Sequence, residues 1–294
     1  MEESTIPEPG EGQMLLKSIF LSLDPYQRGR MSSSASYAAP TELGAVMGGG
    51  TISKVVKSNH SGYQEGDWVL CYSGWQEYAI SDGTLWGSPI KNLGQHPVNP
   101  SWFLGILGMP GFTAYAGLLF IGNPKEGETV VVAAAAGPVG ATVGQIAKLK
   151  GCRVVGVASG NRKCQYATEV LGFDACIDRT DPNFPSQLKQ AVPDGIDVYF
   201  ESVGGEVFDA VWPNLNDFAR IPLCGTVSQN NLIGMPDGPD RLAQFMRSIL
   251  VKKLRVEGFI IDDSFGHRYN EFINDMYRWV DNKEIRLYFD YELL

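Results

Sequence analysis

The first third of the chain is a series of short apolar runs punctuated by Gly, Pro, Asn and Asp. These runs cover residues 13–23, 49–56, 67–72 and 76–80. Runs of this length, closed by turn-forming residues and without a helical period between them, are typical of antiparallel strands. The pattern therefore predicts an antiparallel β-barrel or sandwich for this part of the chain.

The pattern changes near residue 100. It becomes helical from Ser101, with a kink at residues 109–111, and then apolar strands and amphipathic helices alternate. We predict six strands, at residues 129–134, 152–158, 175–178, 195–201, 220–224 and 255–261. We predict helices between and after them, at residues 140–150, 161–171, 183–191, 204–212, 241–252 and 269–281. Regular alternation of strand and helix is the pattern of a doubly wound parallel sheet.

A glycine-spaced turn joins the first of these six strands to its helix. Gly137, Gly140 and Gly144 follow a β-branched run. Without a side chain at Gly137 a diphosphate can approach the backbone, and the glycines at 140 and 144 let the helix pack closely on the sheet. The N-terminus of that helix presents free N–H groups to an anion. The turn therefore predicts a phosphate-bearing cofactor, with a plain strand-to-helix connection as the alternative.

The end of the next strand favours one dinucleotide over the other. Proteins that bind NAD typically carry an acidic residue there for the ribose hydroxyls, and this strand end has none. The chain has small donors and two cations instead, at Ser159, Gly160, Asn161, Arg162 and Lys163. These groups suit a 2′-phosphate, so the segment predicts NADP. The alternative is that Arg162 and Lys163 only form a solvated helical turn.

Composition limits the function classes. The 294 residues suit two domains, and 24 basic against 33 acidic residues give a formal charge of −9, which disfavours nucleic acid as a partner. The best candidate for a membrane span, residues 130–143, is broken by two glycines and a proline, and the N-terminus has no signal-peptide pattern. Five dispersed cysteines are typical of reduced thiols in a cytoplasmic protein. Neither they nor the three histidines show metal-ligand spacing, so we expect no metal.

Seven motifs together resemble those of a known family. They are LSLDPYQRGRM (21–31), GDWV (66–69), GMPGFTAY (108–115), AAAAGPVG (133–140), ESVGG (201–205), CGTVS (224–228) and EGFII (257–261). Their order is that of the zinc-independent medium-chain dehydrogenase/reductase superfamily, and the chain resembles its branch of prostaglandin reductases and alkenal double-bond reductases. The resemblance implies an N-terminal GroES-like β-barrel domain at residues 1–107. It also implies a six-strand Rossmann domain for NADP at residues 108–283.

The two ends of the chain differ from the family pattern. Members of this family begin earlier and continue beyond the last predicted helix, returning to complete the first domain. The resemblance therefore implies that residues 284–294 begin this return segment and that the chain is a fragment or a shortened form.

The resemblance also implies a set of cofactor contacts. They are Gly137, Pro138, Val139, Gly140, Ser159, Lys163, Arg179, Ser202, Cys224, Gly225, Thr226, Val227, Ser228, Phe259, Ile260 and Ile261. Residues 137–140 would hold the diphosphate and Lys163 the 2′-phosphate, while residues 224–228 and 259–261 would line the nicotinamide end. The family usually has Asn at position 202 and Tyr or His at position 179, so these two contacts depart from its pattern.

The implied reaction is reduction of an α,β-unsaturated ketone or aldehyde by NADPH. Hydride would pass to the β-carbon, and the resulting enolate would be protonated at the α-carbon. The enolate oxygen needs a hydrogen-bond donor, and the resemblance implies that Tyr26 contacts the substrate. Asn230 stands where the family usually has Tyr and is the second predicted catalytic residue. Each has a structural alternative, Tyr26 as a turn residue that packs its ring on the core and Asn230 as a loop residue.

Alternative functions stay open from the sequence. The same fold is also compatible with two other enzyme classes, a quinone reductase and an enoyl-thioester reductase. A non-catalytic NADPH-binding protein is favoured instead by Ser202, Asn230 and the short C-terminus. Relatives are often dimers joined by the edges of their nucleotide domains, so a homodimer is a further expectation.

Overall fold

The structure is a computed structural model that describes residues 3–33, 36–85, 87–232, 234 and 239–286. It divides into two compact units, Met1–Gly108 and Met109–Leu294. No helix within the described ranges combines the length and the apolar character needed to cross a membrane. Of the expected return segment, only residues 284–286 are described.

The first unit is built on antiparallel strands. Its strands are β1 (Met14–Leu21), β2 (Thr51–Ser58), β3 (Trp68–Cys71), β4 (Tyr78–Ser81), β5 (Thr84–Leu85), β6 (Ser88–Pro89) and β7 (Lys91–Gly94). Five of them pair in the order β4-β1-β2-β3-β7, with every pair antiparallel. Apolar residues of these strands, together with Ile90 just before β7, form a small core of Met14, Leu16, Val55, Val69, Cys71 and Ile90. The predicted antiparallel β domain is confirmed.

Some short elements of this unit were not predicted. The strands β5, β6 and β7 were not predicted because they are two to four residues long and contain few apolar residues. The helix α1 (Tyr26–Arg30) is a single short segment after Pro25. The predicted kink at 109–111 is instead a break between a 3₁₀ turn (Pro100–Leu104) and the helix α2 (Met109–Ala116). Any side chain at Gly108 would lie 2.0 Å from the Phe103 carbonyl oxygen, so glycine is required at this break.

The second unit contains the six predicted strands. They are β8 (Thr129–Val132), β9 (Arg153–Ala158), β10 (Ala175–Asp178), β11 (Ile196–Phe200), β12 (Leu215–Leu223) and β13 (Arg255–Gly258). The sheet is entirely parallel in the order β10-β9-β8-β11-β12-β13. The chain moves outward from β8 on one side and then crosses to β11 on the other. This doubly wound order places a crevice at the carboxyl ends of β8 and β11, where such folds bind nucleotides.

Helices cover both faces of this sheet. They are α2, which belongs to this second unit, α3 (Pro138–Leu149), α4 (Asn161–Gln165), α5 (Phe184–Ala191), α6 (Gly205–Val211), α7 (Leu242–Lys252), α8 (Ile261–Phe265) and α9 (Tyr269–Asp281). Residues of β8 are fully buried, as expected for a central parallel strand. The predicted fold class, an α/β chain with this six-strand parallel sheet, is confirmed.

Two predicted boundaries were wrong, and part of one predicted helix has a different helical geometry. The strand predicted from residue 220 begins at Leu215, because Phe218 adopts a positive φ of 63° that interrupts the apolar alternation. The strand predicted to reach residue 261 ends at Gly258, and Ile261 begins α8 with Asp262 and Asp263 in its first turn, where acidic residues favour a helix N-terminus. The helix predicted at 161–171 is α4 followed by a π-helical turn, Tyr166–Val170.

Candidate active site

The turn after β8 is held by backbone hydrogen bonds. The Ala135 N–H donates to the Val157 carbonyl oxygen at 3.0 Å, and the Gly137 N–H donates to that of Ala134 at 2.9 Å. Ala134 has a positive φ of 50°. A Cβ at Gly140 would lie only 2.4 Å from the Ala134 carbonyl oxygen, so the turn excludes every side chain at this position.

The other two glycines have different roles. A Cβ at Gly137 would meet only the Ala134 carbonyl oxygen, at 3.3 Å, and φ is −78°, so a small side chain there requires only a slight shift of that oxygen. A Cβ at Gly144 would lie 1.9 Å from Cζ of the Phe173 ring. The same ring lies against β9, because a Cβ at Gly156 would be 3.0 Å from Cδ2 of Phe173. The missing side chain of Gly144 therefore lets α3 pack closely on the sheet, with the Phe173 ring between them.

The N-terminus of α3 is open to an anion. Pro138 has no N–H, and the N–H groups of Val139 and Gly140 belong to the first helical turn, where no acceptor exists within the helix. Gly137 precedes the helix without a side-chain cap, and Pro138 is exposed. The four residues predicted to hold the diphosphate therefore lie together at the positive end of a 12-residue helix.

Three predicted residues lie at the ends of β9 and β10. Arg179 donates from Nε to Oγ of Ser159 at 2.7 Å, so a guanidinium is fixed beside the end of β9. Lys163 is exposed in the first turn of α4 and makes no ion pair with any described residue. Gly160 begins the turn to this helix with φ of 87°, a conformation that favours glycine.

Sequence reasoning missed an acidic residue at this place. Asp178 ends β10 and lies in register with Ala158, the last residue of β9. Its Oδ1 accepts hydrogen bonds from the Gly160 N–H at 2.8 Å and from the N–H and hydroxyl of Thr180 at 2.9 and 2.7 Å. The Gly160 N–H is the main cause that holds the pKa of this carboxyl below its usual range. Asp178 thus stabilises the turn. It was not predicted because it lies on the neighbouring strand, far from the turn in sequence.

Two loops meet at the carboxyl ends of β11 and β12. The N–H groups of Val227 and Ser228 donate to the carbonyl oxygens of Ser202 and Val203, at 3.1 and 3.0 Å. Ser202 also donates from its hydroxyl to the Ala133 carbonyl oxygen at 3.3 Å, which ties this loop to the end of β8. The structure therefore brings Ser202 and residues 224–228 together next to the glycine turn.

Within this pair of loops, Cys224 is a poor nucleophile. Burial is the first cause that raises its pKa to about 12, and the nearby Glu201 carboxylate adds to the shift. The thiol therefore stays protonated at neutral pH. Gly225 and Thr226 continue the loop as half-buried residues.

The third predicted segment, residues 259–261, follows β13. The Phe259 N–H donates to the Leu223 carbonyl oxygen at 3.3 Å, which brings the segment beside the start of the 224–228 loop. The Phe259 ring is buried and packs so closely on Gly117 that an added Cβ there would lie 2.6 Å from Cζ. Ile260 is half-buried and Ile261 is buried. The Phe259 ring is therefore part of the hydrophobic core of the second unit.

The two predicted catalytic residues belong to different units. Tyr26 is the first residue of α1 in the first unit and is half-buried, and burial, followed by the charge of Asp24, raises the pKa of its phenol. Asn230 is exposed in the second unit, directly after a 3₁₀ turn (Val227–Gln229), and its N–H donates to the Val227 carbonyl oxygen at 3.2 Å. Across the described parts of the chain, no group of three His, Cys, Asp or Glu side chains is arranged to hold a metal ion.

Comparison with known proteins identifies the class of enzyme. Residues 1–87 match the family model described as the N-terminal domain of oxidoreductases, and residues 138–280 match the one described as zinc-binding dehydrogenase. The chain belongs to the medium-chain dehydrogenase/reductase superfamily. The predicted branch of prostaglandin reductases and alkenal reductases is confirmed by its relatives.

Individual relatives narrow this branch. The chain is 61% identical to NADPH-dependent curcumin reductase of Escherichia coli (strain K12) over 97% of its own length and 81% of that protein. It is 39% identical to 2-alkenal reductase (NADP(+)-dependent) of Nicotiana tabacum, over 91% of this chain and 76% of that one. The crystal structure of CurA in complex with NADPH from Vibrio vulnificus superposes with a TM-score of 0.93 at 55% identity, covering 98% of this chain and 84% of the other.

Proposed function

We propose that this protein is an NADPH-dependent reductase of the C=C bond in α,β-unsaturated ketones and aldehydes. The observation that carries the proposal is the combination of an open glycine turn with two cationic side chains, Lys163 and Arg179, in a chain 61% identical to an NADPH-dependent reductase. The relatives named for curcumin and 2-alkenals act on conjugated carbonyl compounds, which gives the substrate class. Residues 1–107 are then the GroES-like substrate domain and residues 108–283 the NADP-binding domain.

The residues present fit NADP. Gly140 leaves the cradle at the start of α3 free of side-chain atoms, and the first-turn N–H groups there suit the diphosphate. At the adenosine end, Lys163 and the guanidinium of Arg179 suit a 2′-phosphate. Asp178 does not compete for a ribose hydroxyl through Oδ1, because three donors of the chain already occupy that oxygen. These features favour NADPH over NADH.

The protein's contribution to the chemistry is alignment and a donor for the enolate. When bound, NADPH supplies the hydride. The loops at 202–203 and 224–228 hold the nicotinamide end of the site, so that the reacting carbon of the substrate is kept in register. Tyr26 is our candidate for the donor to the enolate oxygen, and Asn230, with an exposed amide, is the second. The raised pKa of Tyr26 keeps its hydroxyl protonated, which suits a donor.

A spectrophotometric panel tests this function. NADPH consumption is followed with small enones, quinones and enoyl thioesters in parallel. We expect turnover with enones and enals and little with the other two classes. Preference for quinones or thioesters would reassign the substrate class, and tight NADPH binding without turnover on any of them would favour a binding protein.

We further propose that two copies form a homodimer. The helix α7 buries none of its residues, and Leu242, Met246 and Leu250 form an exposed apolar stripe along it, with 63%, 57% and 78% of each side chain accessible. The neighbouring strand β13 lies at the edge of the sheet and pairs with β12 alone among the described strands. An exposed apolar stripe and an open strand edge are both surfaces that a second copy can cover.

We also propose a cytoplasmic location. All five cysteines are free thiols, and Cys71, Cys152 and Cys164 are buried. Free thiols persist in a reducing compartment.

A further inference from the structure

Glu201 is a buried carboxylate at the centre of the loops described above. It follows β11 directly and is only 1% exposed. Its Oε1 accepts hydrogen bonds from the N–H groups of Val203 and Gly204, at 2.6 and 2.9 Å, and its Oε2 accepts one from the Tyr199 hydroxyl at 2.9 Å. The side chain therefore folds the backbone after it into a closed turn.

That turn presents acceptors to the next loop. Its carbonyl oxygens at Ser202 and Val203 receive the N–H groups of Val227 and Ser228. The Glu201 carbonyl oxygen itself accepts from the Cys224 N–H at 2.9 Å, so the start of the second loop is fixed by the same residue. Every described backbone hydrogen bond between the two loops thus depends on the conformation of residues 201–203.

We propose that Glu201 is a positioning residue, which holds residues 224–228 in the conformation that receives the nicotinamide end of NADPH. This inference rests on the proposed function. The residue does not act as a proton donor or acceptor in the reaction, because its oxygens already accept three hydrogen bonds and are sealed from solvent. The adenosine end of the site, at Ser159, Lys163 and Arg179, makes no hydrogen bond to this turn.

The test compares two ligands on two variants. NADPH occupies both ends of the site, whereas adenosine 2′,5′-bisphosphate carries only the adenosine end. Glu201→Asp keeps the buried charge, but the side chain is one methylene shorter, so the carboxylate lies farther from the Val203 and Gly204 N–H groups. Glu201→Gln keeps the length and an acceptor oxygen for both N–H groups, with Tyr199 turned to accept from the new amide.

We expect Glu201→Asp to weaken NADPH about tenfold, the scale of one net hydrogen bond, while the affinity for the bisphosphate stays within about twofold. Glu201→Gln should restore most of the NADPH affinity. NADPH binding is followed by the fluorescence of its nicotinamide, which also reports whether the ring sits in a protected environment, and the bisphosphate is followed by calorimetry. Glu128→Asp is the matched control, because Glu128 pairs with Arg220 at 3.0 Å and precedes β8, at the opposite end of that strand from the glycine turn.

Each outcome is decisive. If the unmodified protein binds neither ligand, the proposed function fails and the role of Glu201 fails with it. Suppose the unmodified protein binds both ligands. If Glu201→Asp then binds both with unchanged affinity, or loses affinity for both to the same extent, Glu201 is only a structural residue and the inference is overturned. A selective loss of NADPH that Glu128→Asp does not share supports it.

Discussion

At the end of β9 the choice of cofactor depends on single side chains. Lys163→Glu places a negative charge where a 2′-phosphate would bind, so we expect NADPH affinity to fall by roughly tenfold to a hundredfold while NADH affinity changes little. Lys150→Glu makes the same charge change at the far end of α3, where the lysine is exposed, and should leave both affinities unaltered. Titration of both nucleotides against both variants checks this. Equal affinity for NADH and NADPH in the unmodified protein would refute the assignment.

The role of Tyr26 is tested by removing one hydroxyl. If that hydroxyl stabilises the enolate, Tyr26→Phe should lower kcat for an enone by up to about a hundredfold and leave the Kd for NADPH nearly unchanged. Tyr63→Phe is the control, because the Tyr63 hydroxyl of the same unit donates to the Ile90 carbonyl oxygen at 2.8 Å and its loss should lower stability without slowing turnover. An unaltered kcat in Tyr26→Phe would show that Tyr26 is a turn residue that only packs its ring on the core.

Among the single residues of the site, some could be predicted from the sequence and others could not. Gly140 was predicted from its spacing, because a turn this tight excludes side chains whatever surrounds it. Asp178 and Glu201 were not predicted as site residues, since their importance lies in hydrogen bonds to backbone groups of neighbouring segments. Arg179 was predicted only through the resemblance, and its contact with Ser159 requires two strands to be adjacent. Side chains that act across the sheet become visible only when the strand order is known.

At the scale of elements, the glycines of α3 separate into two roles. Gly137→Ala adds a methyl group at the residue before α3, where it displaces the Ala134 carbonyl oxygen only slightly but takes up space at the predicted diphosphate site, so NADPH affinity should fall with a smaller change in Tm. Gly144→Ala forces its Cβ into the Phe173 ring, and overpacking of this kind costs about 1–3 kcal/mol, so Tm should fall with little change in affinity. Thermal unfolding and NADPH titration of both variants check this. The reverse pattern would contradict the assignment of the two glycines.

Element boundaries followed the apolar pattern only where the backbone was regular. The six strands and their helices were predicted because their periods are unambiguous. The left-handed Phe218 inside β12 and the π-helical turn after α4 were missed, since a single unusual φ or an extra residue per turn leaves no periodic signal. The strand after α7 was predicted three residues too long because an apolar pair, Ile260 and Ile261, lies directly before Asp262 and Asp263 of α8.

At the scale of the whole molecule, the exposed stripe on α7 predicts self-association. Leu250→Glu places a charge at its most accessible position and should convert a dimer to a monomer. Leu149→Glu, on the partly exposed face of α3, should leave the dimer intact. Sedimentation velocity of the three proteins at equal concentration checks this. A monomeric unmodified protein would remove the proposed dimer and leave the stripe unexplained.

The most direct test of the central claim follows the transferred hydrogen. The protein is incubated with NADPH deuterated at the transferable position of C4 and with a simple enone, and the product is analysed by NMR. Our account predicts a saturated ketone that carries deuterium on the former β-carbon, with the carbonyl group intact. An allylic alcohol with deuterium on the carbonyl carbon, or no deuterium transfer to the enone at all, would contradict it.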